Sequence, residues 1–267
     1  MIRNALSIAG SDPSGGAGIQ ADLKAFSALG VYGMAAITAL TAQNTRGVSG
    51  IHLVPSDFVR LQIADVFADI RVDAVKIGMI ATSDIAHAVA EALRPHASVP
   101  IVLDPVMVAK GGANLLANEA VEALRTKLVP LATILTPNLP EAAQLLACAA
   151  ATTRDEMAEQ ALQLLALGPR AVLLKGGHLG GHASPDCLAT GTGITWLEGP
   201  RIASANTHGT GCTLSSAIAA GLAKRLGVSS AVEVAKTYVA AAITGAKALS
   251  VGHGHGPTHH FHDLWKG

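Results

Sequence analysis

Short β-rich runs and helical runs alternate along this chain almost from end to end, and that alternation constrains the fold more than any single motif. Repeated strand–helix units build a mostly parallel sheet covered by helices on both faces. The strands are read at Ala5–Ala9, Gly33–Leu40, Ala74–Met79, Pro100–Asp104, Thr133–Thr136 and Ala171–Lys175, with a hairpin at the sheet edge over about 183–201. The expected fold is α/β, a three-layer α/β/α sandwich with a mostly parallel central sheet. Half of the 267 residues are hydrophobic and only 3% are aromatic, so the core is aliphatic. No break in composition divides the chain, and 1–267 reads as a single domain. Each strand runs into polar or glycine-rich residues, such as Gly10-Ser11-Asp12, Thr41-Ala42-Gln43-Asn44 and Gly176-Gly177-His178. In open α/β sheets the carboxyl ends of the strands form the ligand crevice, so one rim is where a site is expected.

Nineteen basic and nineteen acidic residues cancel, and no Lys/Arg stripe forms. Nucleic acid and anionic membranes are therefore poor partners, and a small molecule is the better one. Cys148, Cys187 and Cys212 are odd in number and widely spaced, which suits neither a disulfide framework nor a CxxC metal site. A reducing, cytoplasmic compartment is expected. No apolar run approaches the ~18 residues of a membrane span, and Met1–Gly10 is too short for a signal peptide.

The chemistry concentrates in Asn206-Thr207-His208-Gly209-Thr210-Gly211-Cys212-Thr213, ahead of an apolar helix read at about Leu214–Leu226. Gly209, Thr210 and Gly211 leave backbone N–H groups uncovered at the positive end of that helix, an anion cradle. Cys212 sits at its first turn, where the dipole favours a thiolate able to take a proton as a phosphoryl group arrives. The alternative is a simple turn with Cys212 as a small buried hydrophobe. Lys175 closes a buried strand, where its charge suits a phosphate or else reaches out to solvent.

Asn138 and Glu141, in Thr136-Pro137-Asn138-Leu139-Pro140-Glu141, share one side of a first helical turn. They suit either a hydrated magnesium ion or a helix cap. Gln43 carries an amide that fits a heterocycle with an amine beside a ring nitrogen, or merely ends a strand. Asp104 stands at a strand end, ahead of Ala109-Lys110-Gly111-Gly112-Ala113, a stretch suited to a mobile flap over about 107–117 or to a surface turn. Gly16-x-Gly18-x-x-Ala21 fits a loose dinucleotide fingerprint, but no acid stands at the expected spacing for the ribose, and no Gly-Lys-Ser/Thr phosphate loop occurs. The histidine-rich end, Gly252–His262, lacks the spacing of known zinc sites and reads as a docked segment.

Together these stretches resemble the hydroxymethylpyrimidine/phosphomethylpyrimidine kinases of thiamine biosynthesis, in the ribokinase-like superfamily. The resemblance covers nearly the whole chain. It rests on AGSDPSGGAGIQADLK (Ala9–Lys24), ITALTAQNT (Ile37–Thr45), KIGM (Lys76–Met79), TPNLPEA (Thr136–Ala142), KGGH (Lys175–His178), NTHGTGCTLS (Asn206–Ser215) and the terminal GPxHHFH. It implies a homodimer that uses MgATP to phosphorylate 4-amino-5-hydroxymethyl-2-methylpyrimidine and then its monophosphate. By position it implies that Gln43 holds the aminopyrimidine, with Met79 and Val106 lining the pocket and Asp22 nearby. Lys175, Thr207 and Asn138 would serve ATP, Glu141 the magnesium ion with Asp104 through water, and Gly209, Thr210 and Gly211 the anion hole. Cys212 stands where most ribokinase relatives carry an aspartate base, and cysteine is usual in the pyrimidine branch. The nearest rival is a pyridoxal kinase. Against it stand Gln43 and the absence of a cysteine in the flap.

A free thiol titrates near 8.5, so a base role requires Cys212 to be lowered. The first acceptor is a neutral alcohol; the second is a phosphate monoester already largely ionised, its second pKa being about 6. Only the first transfer needs the base.

Overall fold

The computed structural model of the protein describes residues 1–107 and 118–265. In chain order the elements are β1 (Arg3–Ala9), α1 (Gly18–Ala28), β2 (Val31–Ile37), β3 (Ala39–Asn44), β4 (Gly47–Leu53), α2 (Ser56–Asp69), β5 (Ala74–Ile77), α3 (Ser83–Leu93) and β6 (Ile101–Leu103). The second half of the chain adds α4 (Asn118–Ala123), β7 (Ile134–Leu135), α5 (Leu139–Leu146), α6 (Arg154–Leu165), β8 (Ala171–Lys175), β9 (Asp186–Thr190), β10 (Gly193–Leu197), α7 (Thr210–Ala223) and α8 (Val228–Gly245). Eight strands form one sheet in the order β10-β9-β8-β7-β6-β5-β1-β2. Strands β8 through β2 pair parallel, while β9 and β10 pair antiparallel at the edge.

Both faces of the sheet are covered, which is why its strands read as unbroken apolar runs. Strand β8 shows the division: Val172 and Leu174 point into one core, Ala171 and Leu173 into the other. The first core is closed by Val59 and Ile63 of α2, Ile85 and Val89 of α3, Leu139 of α5, and Met157 and Leu164 of α6. The second is closed by Phe26 of α1, Ile218 of α7, and Ala235 and Val239 of α8. The three-layer α/β/α sandwich is thus present. The flap expected at about 107–117 lies outside the described residues.

The chain order places β1 beside β5, with β2 outside it, so the connections reverse direction between β1 and β5. Carboxyl ends that part at such a point leave a crevice. Departures from the sequence reading are local. The strand expected at Gly33–Leu40 ends at Ile37. Thr38 is fully buried and donates its hydroxyl to the Met79 carbonyl at 2.7 Å, which turns the chain out of the main sheet. Strands β3 and β4 then form a separate antiparallel pair, so Gln43 lies within a strand rather than in a strand-ending turn. The turn of this pair is set by Asn44, whose side-chain oxygen accepts from the Arg46 N–H at 2.9 Å. Helix α7 begins at Thr210, earlier than expected, so the cradle residues form its first turn. The chain's end is docked: Gly256 O accepts from His208 N, and His259 N donates to Ala242 O.

Candidate active site

A cavity of about 660 Å³ opens at the β1/β5 crevice, bounded by Gly10–Asp12, Gln43, Met79, Asp104, Val106, Glu141 and Gly209–Cys212. A larger cleft, about 1110 Å³, runs beside it between β10 with the chain to Ser204 on one side and α7 with α8 on the other. Lys175, His178, Thr207 and Thr210 line both. Two ligands seated in these spaces would therefore meet at Lys175 and the start of α7.

The α7 wall is built from glycine for a geometric reason. Gly209, the N-cap, has φ +76°, and a Cβ there would stand 1.7 Å from the Gly16 carbonyl oxygen. Only glycine lets the two turns close to this distance. No side chain caps the helix, and the Thr210 N–H makes only a long 3.4 Å bond to the Thr207 carbonyl, so this end is open to a ligand. At Gly211 a Cβ would point into the space between Lys175 Nζ, 3.5 Å away, and Asp104 Oδ2, 3.7 Å away. Cys212 occupies the third helical position. Burial pushes its thiol up to about 11, with Lys76 working the other way. This corrects the expectation of a lowered thiol: removal from water, joined by the Asp22 and Asp104 charges, outweighs Lys76 and the Gly18 N–H.

Opposite lie one ammonium and two carboxylates. Lys175 Nζ is 3.1 Å from Asp104 Oδ1 and 3.8 Å from Glu141 Oε2. Burial works against its charge, but Asp104 and Glu141 outweigh it and hold its pKa above the ordinary value. Asp104 is fixed by Ser215 Oγ, which donates to Oδ2 at 3.2 Å. Asn138 and Glu141 form a full capping box on α5: Glu141 N donates to Asn138 Oδ1 at 2.9 Å, and Asn138 N to Glu141 Oε2 at 2.7 Å. Burial, then the Asp104 charge, raise Glu141 to about 7 against the pull of Lys175. Among the described residues no group of three or more His, Cys, Asp or Glu is arranged as a metal site. The donor set still fits a cation that arrives with its own ligands, because two carboxylates face one ammonium.

The third wall carries the polar groups expected to select the acceptor. Gln43 accepts from Thr41 Oγ1 at 3.2 Å, and its Nε2 lies 3.5 Å from His208 Nε2. Met79 closes over Gly10, where a Cβ would meet the methionine methyl at 2.2 Å. Asp22 does not join this wall. It is fully buried, with its oxygens committed to Ser7, Ser216 and Lys76 on neighbouring elements.

The sequence reading gave no role to several cavity residues, three of which stand in ion pairs. His208 Nε2 meets Asp12 Oδ2 at 2.7 Å. Burial alone would raise Asp12, but hydrogen bonds from His208, Ser14 and the Ala17 N–H hold it down at about 2. The dyad ties the cradle to the turn before α1. Lys76, the third, could have been found by the same reasoning as Lys175, since both are lysines in apolar strands.

The site's geometry agrees with what the chain is similar to. Residues 12–259 match the family model described as phosphomethylpyrimidine kinase. The hydroxymethylpyrimidine/phosphomethylpyrimidine kinase of Escherichia coli K12 is 54% identical over 98% of both chains. Its counterpart from Rhizobium meliloti is 53% identical over the full length of both. Among solved structures, phosphomethylpyrimidine kinase from Clostridium difficile 630 has a TM-score of 0.81 at 44% identity, covering 91% of this chain and 100% of its own. An ADP complex of Bacillus subtilis pyridoxal kinase has a TM-score of 0.90 at 41% identity, covering 97% and 98%. The ribokinase-like architecture expected from the motifs is thus shared with solved kinases. With a glycine cradle, a buried lysine and an acceptor pocket on one rim, and with the family model spanning nearly all of the sequence, this chain belongs to the phosphomethylpyrimidine kinase family.

Proposed function

We propose that the chain is an ATP-dependent kinase of thiamine biosynthesis that phosphorylates 4-amino-5-hydroxymethyl-2-methylpyrimidine and then phosphorylates the monophosphate to the diphosphate. The observation that carries this reading is the junction of the two cavities at Lys175 and the first turn of α7. The smaller cavity takes the pyrimidine, with Gln43 on its amine and ring nitrogen and Met79 and Val106 on its faces. The larger cleft takes ATP. Its γ-phosphate comes to Lys175, Thr207 and the N–H groups of Gly209, Thr210 and Gly211, which neutralise charge as it builds.

In the first transfer the thiolate fraction of Cys212, small at neutral pH because burial holds the thiol up at about 11, takes the hydroxymethyl proton. The O–H bond breaks as the S–H bond forms, the oxygen bonds the γ-phosphorus, and the bond from that phosphorus to ADP breaks. In the second transfer the acceptor is an ionised phosphate oxygen, which needs no base. Glu141 and Asp104 would hold a magnesium ion bound to the nucleotide, partly through water, and that ion supplies charge neutralisation along the phosphate chain.

The chain acts as one kinase domain and pairs as a homodimer. The β3–β4 hairpin stands outside the main sheet and exposes Leu40, Ile51 and Leu53, and α2 after it exposes Phe58 and Leu61. So much apolar surface in one stretch supports a partner chain, and light scattering of Ile51→Asp tests it: a monomer is expected. Cys148, Cys187 and Cys212 are all free thiols, which suits a reducing cytoplasm. No helix of the described residues is long and apolar enough to cross a membrane.

Pyridoxal is the second reading, favoured by the pyridoxal kinases among the similar structures. Phosphorus NMR with MgATP and each acceptor decides between them. A pyrimidine monophosphate that proceeds to diphosphate is the expected result. Pyridoxal phosphate alone, with the pyrimidine untouched, would overturn the substrate assignment.

A further inference from the structure

A lysine in the middle of a parallel sheet is costly unless its charge is answered, and Lys76 on β5 has no exposed surface at all. Its ammonium lies 2.9 and 2.8 Å from the two oxygens of Asp22 on α1. Asp22 also accepts from Ser7 Oγ of β1 at 2.6 Å and from Ser216 Oγ of α7 at 2.7 Å. Four elements thus meet in one closed polar cluster. Two features tie it to the transfer centre. Ser216 lies one helical turn beyond Cys212, and Asp22 lies one turn beyond Gly18, whose N–H reaches Cys212. The Lys76 ammonium also belongs to the cavity wall, beside Gly78, where a Cβ would approach it to 2.7 Å.

We propose that the Lys76–Asp22 pair is a positioning element for the first transfer: Lys76 supplies the positive charge that stabilises the Cys212 thiolate, and Asp22 with Ser216 fixes where that charge stands. This rests on the proposed base role of Cys212. The charged groups facing the sulfur are Lys76 from β5, Asp22 from α1, Asp104 from the end of β6 and Lys175 from β8. Of the two cations, Lys175 is already engaged by two carboxylates and is required for the phosphates. Lys76 meets one carboxylate, so the pair is neutral rather than negative, and two Asp22 oxygens occupy two of its three N–H groups while it shares the cavity wall with Cys212. Burial raises the thiol and Lys76 opposes it, which is the same sense.

The test needs no catalysis. The full chain without nucleotide is treated with iodoacetamide at about pH 8, where alkylation tracks the thiolate fraction. Cys212 is followed by peptide mass spectrometry against exposed Cys148 as internal reference. Lys76→Met should slow Cys212 by about tenfold or more, and Asp22→Asn should speed it by about tenfold, one pKa unit each way. The double variant, which leaves no unpaired buried charge, should fall between them. Opposite shifts are something a merely structural role would not produce. An unchanged rate in Lys76→Met, or losses in the same direction in all three variants, would overturn the proposal. Opposite shifts together with equal loss of both transfers in Cys212→Ala would uphold the Lys76 assignment and sink the base reading instead.

Discussion

Two lysines withdrawn from water bound the cavity, and their charge balances differ. Lys76 meets one carboxylate, Asp22, itself steadied by two serine hydroxyls. Lys175 meets two, Asp104 and Glu141, and the second of these is driven towards its protonated form. The first cluster is complete in the resting protein. The second carries an extra carboxylate, which under the proposed function a cation bound to the nucleotide would balance. The lesson is that a buried charge set that balances itself can hold a charge in place beside a reacting group, whereas one with a net charge suits a ligand of the opposite sign.

Removing the central cation of the open set should have the largest effect. Lys175→Ala leaves Asp104 and Glu141 facing the nucleotide phosphates unopposed, and both transfers should fall by about 10³-fold in single-turnover assays. A loss confined to one acceptor would break the contrast, because phosphate positioning is common to both steps. Next comes Cys212→Ala. It should slow transfer to the hydroxymethyl group by about 10²-fold or more, the usual scale of a general base, and transfer to the monophosphate by less than tenfold. Since burial pushes the thiol up to about 11, the first transfer in the native enzyme should also rise with pH through the alkaline range, while the second stays flat.

The pattern of strands and helices exposed the sandwich in the sequence because the central strands, such as β1, β5, β6 and β8, are apolar runs buried on both faces. The ends of Ala171–Lys175 and Ser56–Asp69 were legible to the residue. Gly209–Cys212 and Lys175 were legible because glycine at a helix start and lysine in an apolar strand both break a local rule. The β3–β4 pair was not. Its departure from the main sheet depends on Thr38 reaching the Met79 carbonyl, a contact across 41 positions that no local pattern carries. The burial of Asp22 was hidden for a similar reason, since its partners Ser7, Lys76 and Ser216 come from three other elements. Nor could a sequence show that burial would raise the Cys212 thiol against Lys76, which comes from another element.

Glu141 offers a smaller effect with two signs. Its folded value, about 7, lies above the ordinary 4.5, so the folded protein holds a proton that the unfolded chain releases. Stability from this group is therefore present below pH 4.5 and lost as pH rises to about 7. Glu141→Gln should remove that loss and raise the Tm of the nucleotide-free protein above pH 7 by a few degrees, about 1–2 kcal/mol. The same variant should weaken magnesium dependence of the nucleotide complex. In the native protein, magnesium affinity should fall as pH drops below about 7, and the variant should lose that slope. A variant that binds magnesium unchanged would remove Glu141 from the open set.

The smallest effect on rate is expected at the chain's end. His260 Nε2 lies 3.0 Å from Thr213 Oγ1, which donates to the Gly209 carbonyl at 2.8 Å, so the tail braces the cradle from behind. In the arrangement where Thr213 gives its one proton to Gly209, His260 donates from Nε2. Burial, reinforced by Lys24 and His259, holds His260 down at about 4. The unfolded chain takes up the proton first, so this group's stability is present above pH 6.5 and lost between 6.5 and about 4, by up to about 1.4 kcal/mol per pH unit. His260→Gln keeps a side-chain N–H donor. It should leave both transfer rates within about twofold at neutral pH while flattening that acid slope in urea unfolding. His260→Ala should unfold more readily at every pH and slow both transfers alike, since the cradle serves both. A selective loss of the first transfer would instead link the tail to Cys212, and the bracing of Gly209 would not explain it.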